Sequence, residues 1–199
     1  MGISMAGELS QKVAAQGVER NQASLLAERP ATSTTRYAAG PDAEYALGTN
    51  IEWQDSATQR EATIVTLMPD QPETEAYACR VAAAFDLHRV YLRHLTPAHG
   101  RTARLYRRNA DLQDGDELNR AFLERHLENC SRNGEHRVIA AWGPHGAVDG
   151  RSEWFRQMAA DYGYDLYAPG AFPSGEPIAP EQAVKKSWQL MSLHCASRA

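Results

Sequence analysis

The run Arg137-Val138-Ile139-Ala140-Ala141-Trp142 stops abruptly at Gly143-Pro144. Val138 to Ala141 carry no polar side chain, so a strand built from them has no wet face and must be covered on both sides. A helix is expected soon after, from about Arg151 to Tyr162. In open α/β sheets, ligands sit beyond the carboxyl ends of such strands. Trp142, Gly143 and His145 therefore fall where a ligand would lie.

A second run of the same kind is Ala62-Thr63-Ile64-Val65-Thr66-Leu67-Met68, closed by Pro69-Asp70-Gln71-Pro72. Arg89 to Leu95 alternates polar and apolar, which predicts a strand closer to the sheet edge. Tyr45–Leu47 and Ile51–Trp53 read as a short hairpin around Gly48-Thr49-Asn50. Asp165–Ala168 reads as a last short strand. Helices are expected over 73–85, with Thr74 as an early cap, and over 116–129, with Leu118, Phe122, Leu123 and Leu127 on one face. Ala183 to about Cys195 reads as a final helix or a frayed tail. Residues 97–111 and 169–180 read as loops. Strands alternating with helices predict an α/β fold, a three-layer α/β/α sandwich around a central parallel or mixed sheet.

Residues 1–40 are rich in Ala, Gln, Ser and Glu and poor in large apolar groups, so they read as a flexible N-terminal arm. Val13, Val18, Leu25 and Leu26 can line one helix face, so the arm is also a possible contact for a protein partner. Residues 41–199 are expected to form a single α/β domain. The formal charge of −4 gives no global basic field for nucleic acid. Cys79, Cys130 and Cys195 form no CxxC and are odd in number, which fits free thiols in a cytoplasmic setting. No secretory leader or membrane-spanning run is visible, and no membrane association is expected.

Two turns carry the candidate chemistry. After the first buried run, Asp70 can orient or deprotonate a water, and Gln71 can read an amide or a base edge, with Pro69 shaping the turn. After the second, Trp142 can stack on a planar ligand, beside Gly143, and His145 can act as a general acid or phosphate contact. His94 ends the alternating strand and can converge with Asp70 and Trp142. Asp70, His94 and His145 are thus the candidate catalytic groups; Pro69, Gln71, Trp142 and Gly143 are the candidate substrate contacts. The histidines His94, His99 and His145 lack metal-ligand spacing, so no metal is expected from them. No cofactor is expected either: GxGxxG, GxxxxGK[ST] and GxSxG are all missing. Arg101, Arg104, Arg107 and Arg108 form a local basic run that can meet phosphates or simply face solvent.

These residues resemble an uncharacterised family of bacterial and phage domains. That family pairs an Asn-Pro-Ser-Thr turn with a later Trp-Gly-x-His-Gly turn and closes on Gly-x-Pro-x-His-Pro. Val138–Gly146 carries the second motif, and Gly175-Glu176-Pro177-Ile178-Ala179-Pro180 follows the third in outline. In the first, only Pro69 is kept: Met68, Asp70 and Gln71 replace Asn, Ser and Thr. Ala179 stands where the family has histidine. The motif order is similar to that of uracil-DNA glycosylases. The resemblance implies a uracil-DNA glycosylase-like sandwich with a pocket for a nucleotide or a DNA base. It implies N-glycosidic hydrolysis or base modification as the activity. The substitutions at 68 and 179 favour an alternative: a non-catalytic interaction module, such as a phage-encoded inhibitor or adaptor on a degenerate enzyme scaffold.

Overall fold

The computed structural model describes residues 31–39, 44–54, 56, 58–69, 73–98, 113–131, 136–183 and 190–193. The strands are β1 (Ala31–Ala39), β2 (Glu44–Trp53), β3 (Glu61–Thr66), β4 (Arg89–His94), β5 (Arg137–Ala141), β6 (Leu166–Ala168) and β7 (Met191–Leu193). The helices are α1 (Thr74–Phe85), α2 (Gln113–Ser131), α3 (Arg151–Asp161) and the short α4 (Pro180–Ala183). A 3-10 turn over Pro144–Gly150 leads into α3.

The strands form one mixed sheet in the order β1-β2-β4-β3-β5-β6-β7. β4, β3, β5 and β6 run parallel to one another, while β1, β2 and β7 pair antiparallel at the flanks. The α/β class expected from the alternation is therefore what the chain forms. Successive strand residues point to opposite faces, and the two faces carry separate cores. Ala62, Ile64, Val90, Leu92, Ile139 and Ala141 pack with Tyr77, Ala78, Val81 and Ala82 of α1. Val65, Val138, Ala140 and Trp142 pack with Leu123 and Leu127 of α2 and Phe155, Met158 and Ala159 of α3. β3 thus has a strand on each side and helices on both faces, which explains its unbroken apolar run.

Several expectations need correction. The arm boundary near residue 40 is too late, because residues 31–39 form β1, whose β-branched Thr32, Thr34 and Thr35 suit a strand. Residues 1–30 lie outside the described residues. The hairpin around Gly48 is instead one continuous strand. Gly48 sits mid-strand because an added Cβ would lie 2.6 Å from the Leu92 carbonyl oxygen; the glycine marks a close approach, not a turn. β4 is interior, lying between β2 and β3, so its alternating polar residues enter a buried cluster rather than water. Leu118 is 46 % exposed and lies off the apolar face of α2. Glu73, not Thr74, holds the cap position of α1, with φ 62° and no side-chain cap bond. Instead of a helix running to Cys195, Met191–Leu193 pairs with β6. The loop at 97–111 and its arginines fall on residues of which 99–112 lie outside the described residues. No helix among the described residues is long and apolar enough to cross a membrane.

Ile64 is fully buried in the centre of β3. Ile64→Ala is expected to cost about 2–5 kcal/mol in chemical denaturation, through lost burial and the cavity left behind. A cost under ~1 kcal/mol would contradict the two-sided packing of this strand.

Candidate functional site

The parallel strand order reverses between β3 and β5, since the chain leaves β3 for β4 on one side and later returns to β5 on the other. A crevice at the carboxyl end of the sheet is the usual consequence of such a reversal. The turns after β3 and β5 are neighbours there, because Thr66 pairs with Ala141. Pro69 is half-buried at the first turn. Asp70 and Gln71 follow it directly in the chain but lie outside the described residues. β4 ends alongside: the amides of Leu95 and Thr96 donate to the carbonyls of Thr66 and Leu67, both at 2.9 Å.

His94 lies in this region but offers nothing to solvent. It is 2 % exposed, and its Nδ1 lies 2.8 Å from the Thr66 hydroxyl. Burial, reinforced by the neighbouring Arg93 cation, pushes its pKa down to about 3, so the imidazole is neutral at ordinary pH. Its backbone carbonyl accepts a 2.9 Å hydrogen bond from Asn119 Nδ2. Asn119 is fully buried, and no described residue donates to its Oδ1.

Trp142 is 1 % exposed and cannot stack on a ligand. Phe155 meets its ring edge-on at 5.8 Å, and the Arg156 guanidinium lies 5.5 Å from its centroid. Gly146 lies directly against the indole, leaving no room for a Cβ. The indole Nε1–H donates to Glu176 Oε2 at 2.6 Å, and Ser152 Oγ donates to Glu176 Oε1 at 2.9 Å. Arg156 completes the set at 3.5 Å. Glu176 belongs to a tight turn in which the amides of Phe172 and Gly175 donate to the carbonyls of Glu176 and Phe172. Trp142 therefore anchors the proline-rich closing segment to β5 and α3.

The expected convergence of His94 and Trp142 is corrected by strand alternation. His94 shares the face of Val90 and Leu92, against α1, whereas Trp142 lies among the residues packed on α2 and α3. The two rings end strands on either side of β3, on opposite faces of the sheet, and do not share a hollow. The convergence of the motifs themselves holds in the backbone. Gly143 is buried at φ 75°, and a Cβ there would lie 3.1 Å from that of Ala179. The Trp-Gly turn and the closing segment thus meet with no space between them. His145 is exposed on the 3-10 turn.

Sequence reasoning missed the groups that tie this edge together. Arg151, at the start of α3, donates to Thr96 Oγ1 and, at 2.9 Å, to Asp116 Oδ2 on α2. Nothing in the spacing of Glu176, Asn119 or Arg151 marks them, because each acts across long sequence separations.

No family model, curated protein or solved structure matches this chain.

Two outcomes follow. Glu176→Ala is expected to cost about 1–3 kcal/mol by leaving the indole N–H unpaired inside the protein, measured by urea denaturation. The second concerns acid. His94 has a native pKa of about 3 against an ordinary 6.5, so between those values the unfolded chain binds the extra proton. Its contribution to stability is therefore complete above pH 6.5 and lost progressively as pH falls toward 3. His94→Asn is expected to reduce the slope of the stability-versus-pH curve over that window but not remove it, because burial depresses His126 and His136 in the same direction; an unchanged slope would show that His94 does not contribute.

Proposed function

We propose that this chain binds a nucleotide or a nucleobase-bearing ligand at the carboxyl edge of its parallel strands, beside the turns after β3 and β5. The observation that carries this reading is the reversal of strand order between β3 and β5, since ligands of open α/β sheets collect at such points. Pro69 closes the turn after β3 at this edge, and on this reading Asp70, next in the chain, orients a sugar hydroxyl or a water. A parallel core with helices on both faces is also compatible with the uracil-DNA glycosylase-like arrangement that the motif order implies. Fold alone does not fix a reaction.

A second reading keeps the scaffold and drops the chemistry. The burial of Trp142 and the internal hydrogen bonds of His94 favour it. Neither ring is available to stack a base or to protonate a leaving group, and Ala179 supplies no imidazole. On this reading the chain is an interaction module, acting as an inhibitor or an adaptor.

Thermal unfolding across a panel of nucleotides, free bases and short single- and double-stranded DNA separates the two. A ligand at ~100 times its dissociation constant is expected to add about 2.7 kcal/mol. Asp70→Ala is expected to remove that gain while leaving the ligand-free melting curve in place. A panel without a single stabilising member would leave the interaction module standing. Stabilisation that survives Asp70→Ala would move the ligand away from this edge.

A further inference from the structure

The opposite, amino edge of the sheet carries a different group of side chains. A cleft of about 760 Å³ opens there, between the starts of β3, β5 and β6 and the last turns of α1 and α3. Cys130 and His136 line its inner wall, with Glu61, Arg137, Tyr164 and Tyr167 around them.

Behind that wall, one threonine joins two imidazoles. The Thr63 hydroxyl on β3 lies 2.7 Å from Nε2 of His126 and 2.7 Å from Nε2 of His136. His126 and Cys130 are four residues apart on α2, so they share a helix face. The Cys130 sulfur lies 3.8 Å from His126 Nε2. Ligand atoms of His126, Cys130 and His136 all lie within 4.8 Å of one another. Nδ1 of His136 is buried with no hydrogen-bond partner.

We propose that His126, His136 and Cys130 bind a single divalent cation of borderline softness, zinc by preference, at the inner wall of this cleft. Two imidazoles and one thiolate are a donor set that favours zinc over the hard, oxygen-seeking cations. Tetrahedral zinc holds nitrogen at about 2.0–2.1 Å and sulfur at about 2.3 Å, which sets its donors roughly 3.3–3.6 Å apart. Small rotations close the observed separations to that range. Three protein donors leave a fourth position, which faces the cleft and takes water or a small ligand, the pattern of catalytic rather than structural zinc.

The protons balance simply. Both imidazoles are held neutral by burial, and so need not lose a proton. The Cys130 thiol, pushed up to about 11 chiefly by burial, loses its proton to solvent through the cleft as the sulfur–metal bond forms.

Arg93 sets the strength of the site. It is 3 % exposed, and its Nη2 lies 3.3 Å from His126 Nδ1. Guanidinium only donates, so His126 Nδ1 accepts and its ring hydrogen sits on Nε2, given to Thr63. A cation at Nε2 moves that hydrogen to Nδ1, where it faces Arg93. The guanidinium thus favours the Cys130 thiolate but opposes the ion and the tautomer the ion requires. Replacing it with a neutral group that can accept strengthens binding.

The test is a titration of the full chain, stripped with chelator and kept reduced, with cobalt(II) and then with zinc(II). Cobalt is expected to give a near-ultraviolet sulfur-to-metal charge-transfer band and intense visible bands of four-coordinate geometry, both bleached by zinc. Cys130→Ser is expected to abolish the charge-transfer band, and His136→Asn to weaken cobalt binding by about tenfold or more. Arg93→Gln, which offers an acceptor to Nδ1–H, is expected to tighten it. A wild-type chain that gives no charge-transfer band at saturating cobalt overturns the proposal without any variant. So does a band that persists in Cys130→Ser with native circular dichroism.

Discussion

Glu61–Thr66 has a hydrogen-bonded strand on each side and helices on both faces. Any polar side chain on it must find its partner inside the protein, because leaving one unpaired costs on the order of 1–3 kcal/mol. Two threonines interrupt its apolar run, and each dictates what lies opposite. Thr63 faces α2 and meets His126 and His136; Thr66 faces the other way and meets His94. The placement of three of the seven histidines thus follows from two hydroxyls on one strand.

The same confinement explains what could be read from the sequence. Strands covered on both faces advertise themselves through long apolar runs, so β3 and β5 were legible, as were α1 and α3 and the α/β class. β4 was legible as a strand but not as an interior one. Its alternation of Arg89, Tyr91 and Arg93 has the same pattern whether the polar face meets water or a buried polar cluster. In this fold Arg89 pairs with Glu52 and Glu61, and Arg93 reaches Asn50, His126 and the rings of Tyr91 and Phe122. Apart from Tyr91 on β4 itself, those partners come from β2, β3 and α2, and no local pattern announces them. Gly48 misled for a related reason, since a glycine that admits a neighbouring strand looks like one that makes a turn.

The candidate site was legible as a place more than as a chemistry. Both predicted turns do lie at the carboxyl edge, because parallel strands in neighbouring register end together. The roles assigned to the rings failed on a parity argument. His94 and Trp142 terminate different strands, and which face each occupies depends on the register between strands, which a single sequence does not encode. A tryptophan at a strand end also has two uses, as a platform or as an anchor with its N–H satisfied. Glu176 decides between them here. Its carboxylate accepts from the indole and from Ser152, and so the closing segment is fixed to the sheet by Trp142 rather than left open above a ligand.

The two edges lie at opposite ends of β3. β3 has six residues, and at about 3.3 Å per residue they separate its ends by roughly 20 Å. Thr63 and Thr66 project to opposite faces of it, so their hydroxyls meet different imidazoles: His126 and His136 on one face, His94 on the other. A close-packed strand does not deform gradually, and a ligand at the carboxyl turns could reach the His126–Cys130–His136 group only by shifting β3 against both cores at once. Arg93 lies near both, since it precedes His94 on β4 while its side chain lies against His126. It adds to the burial that depresses the pKa of His94 and of His126 alike.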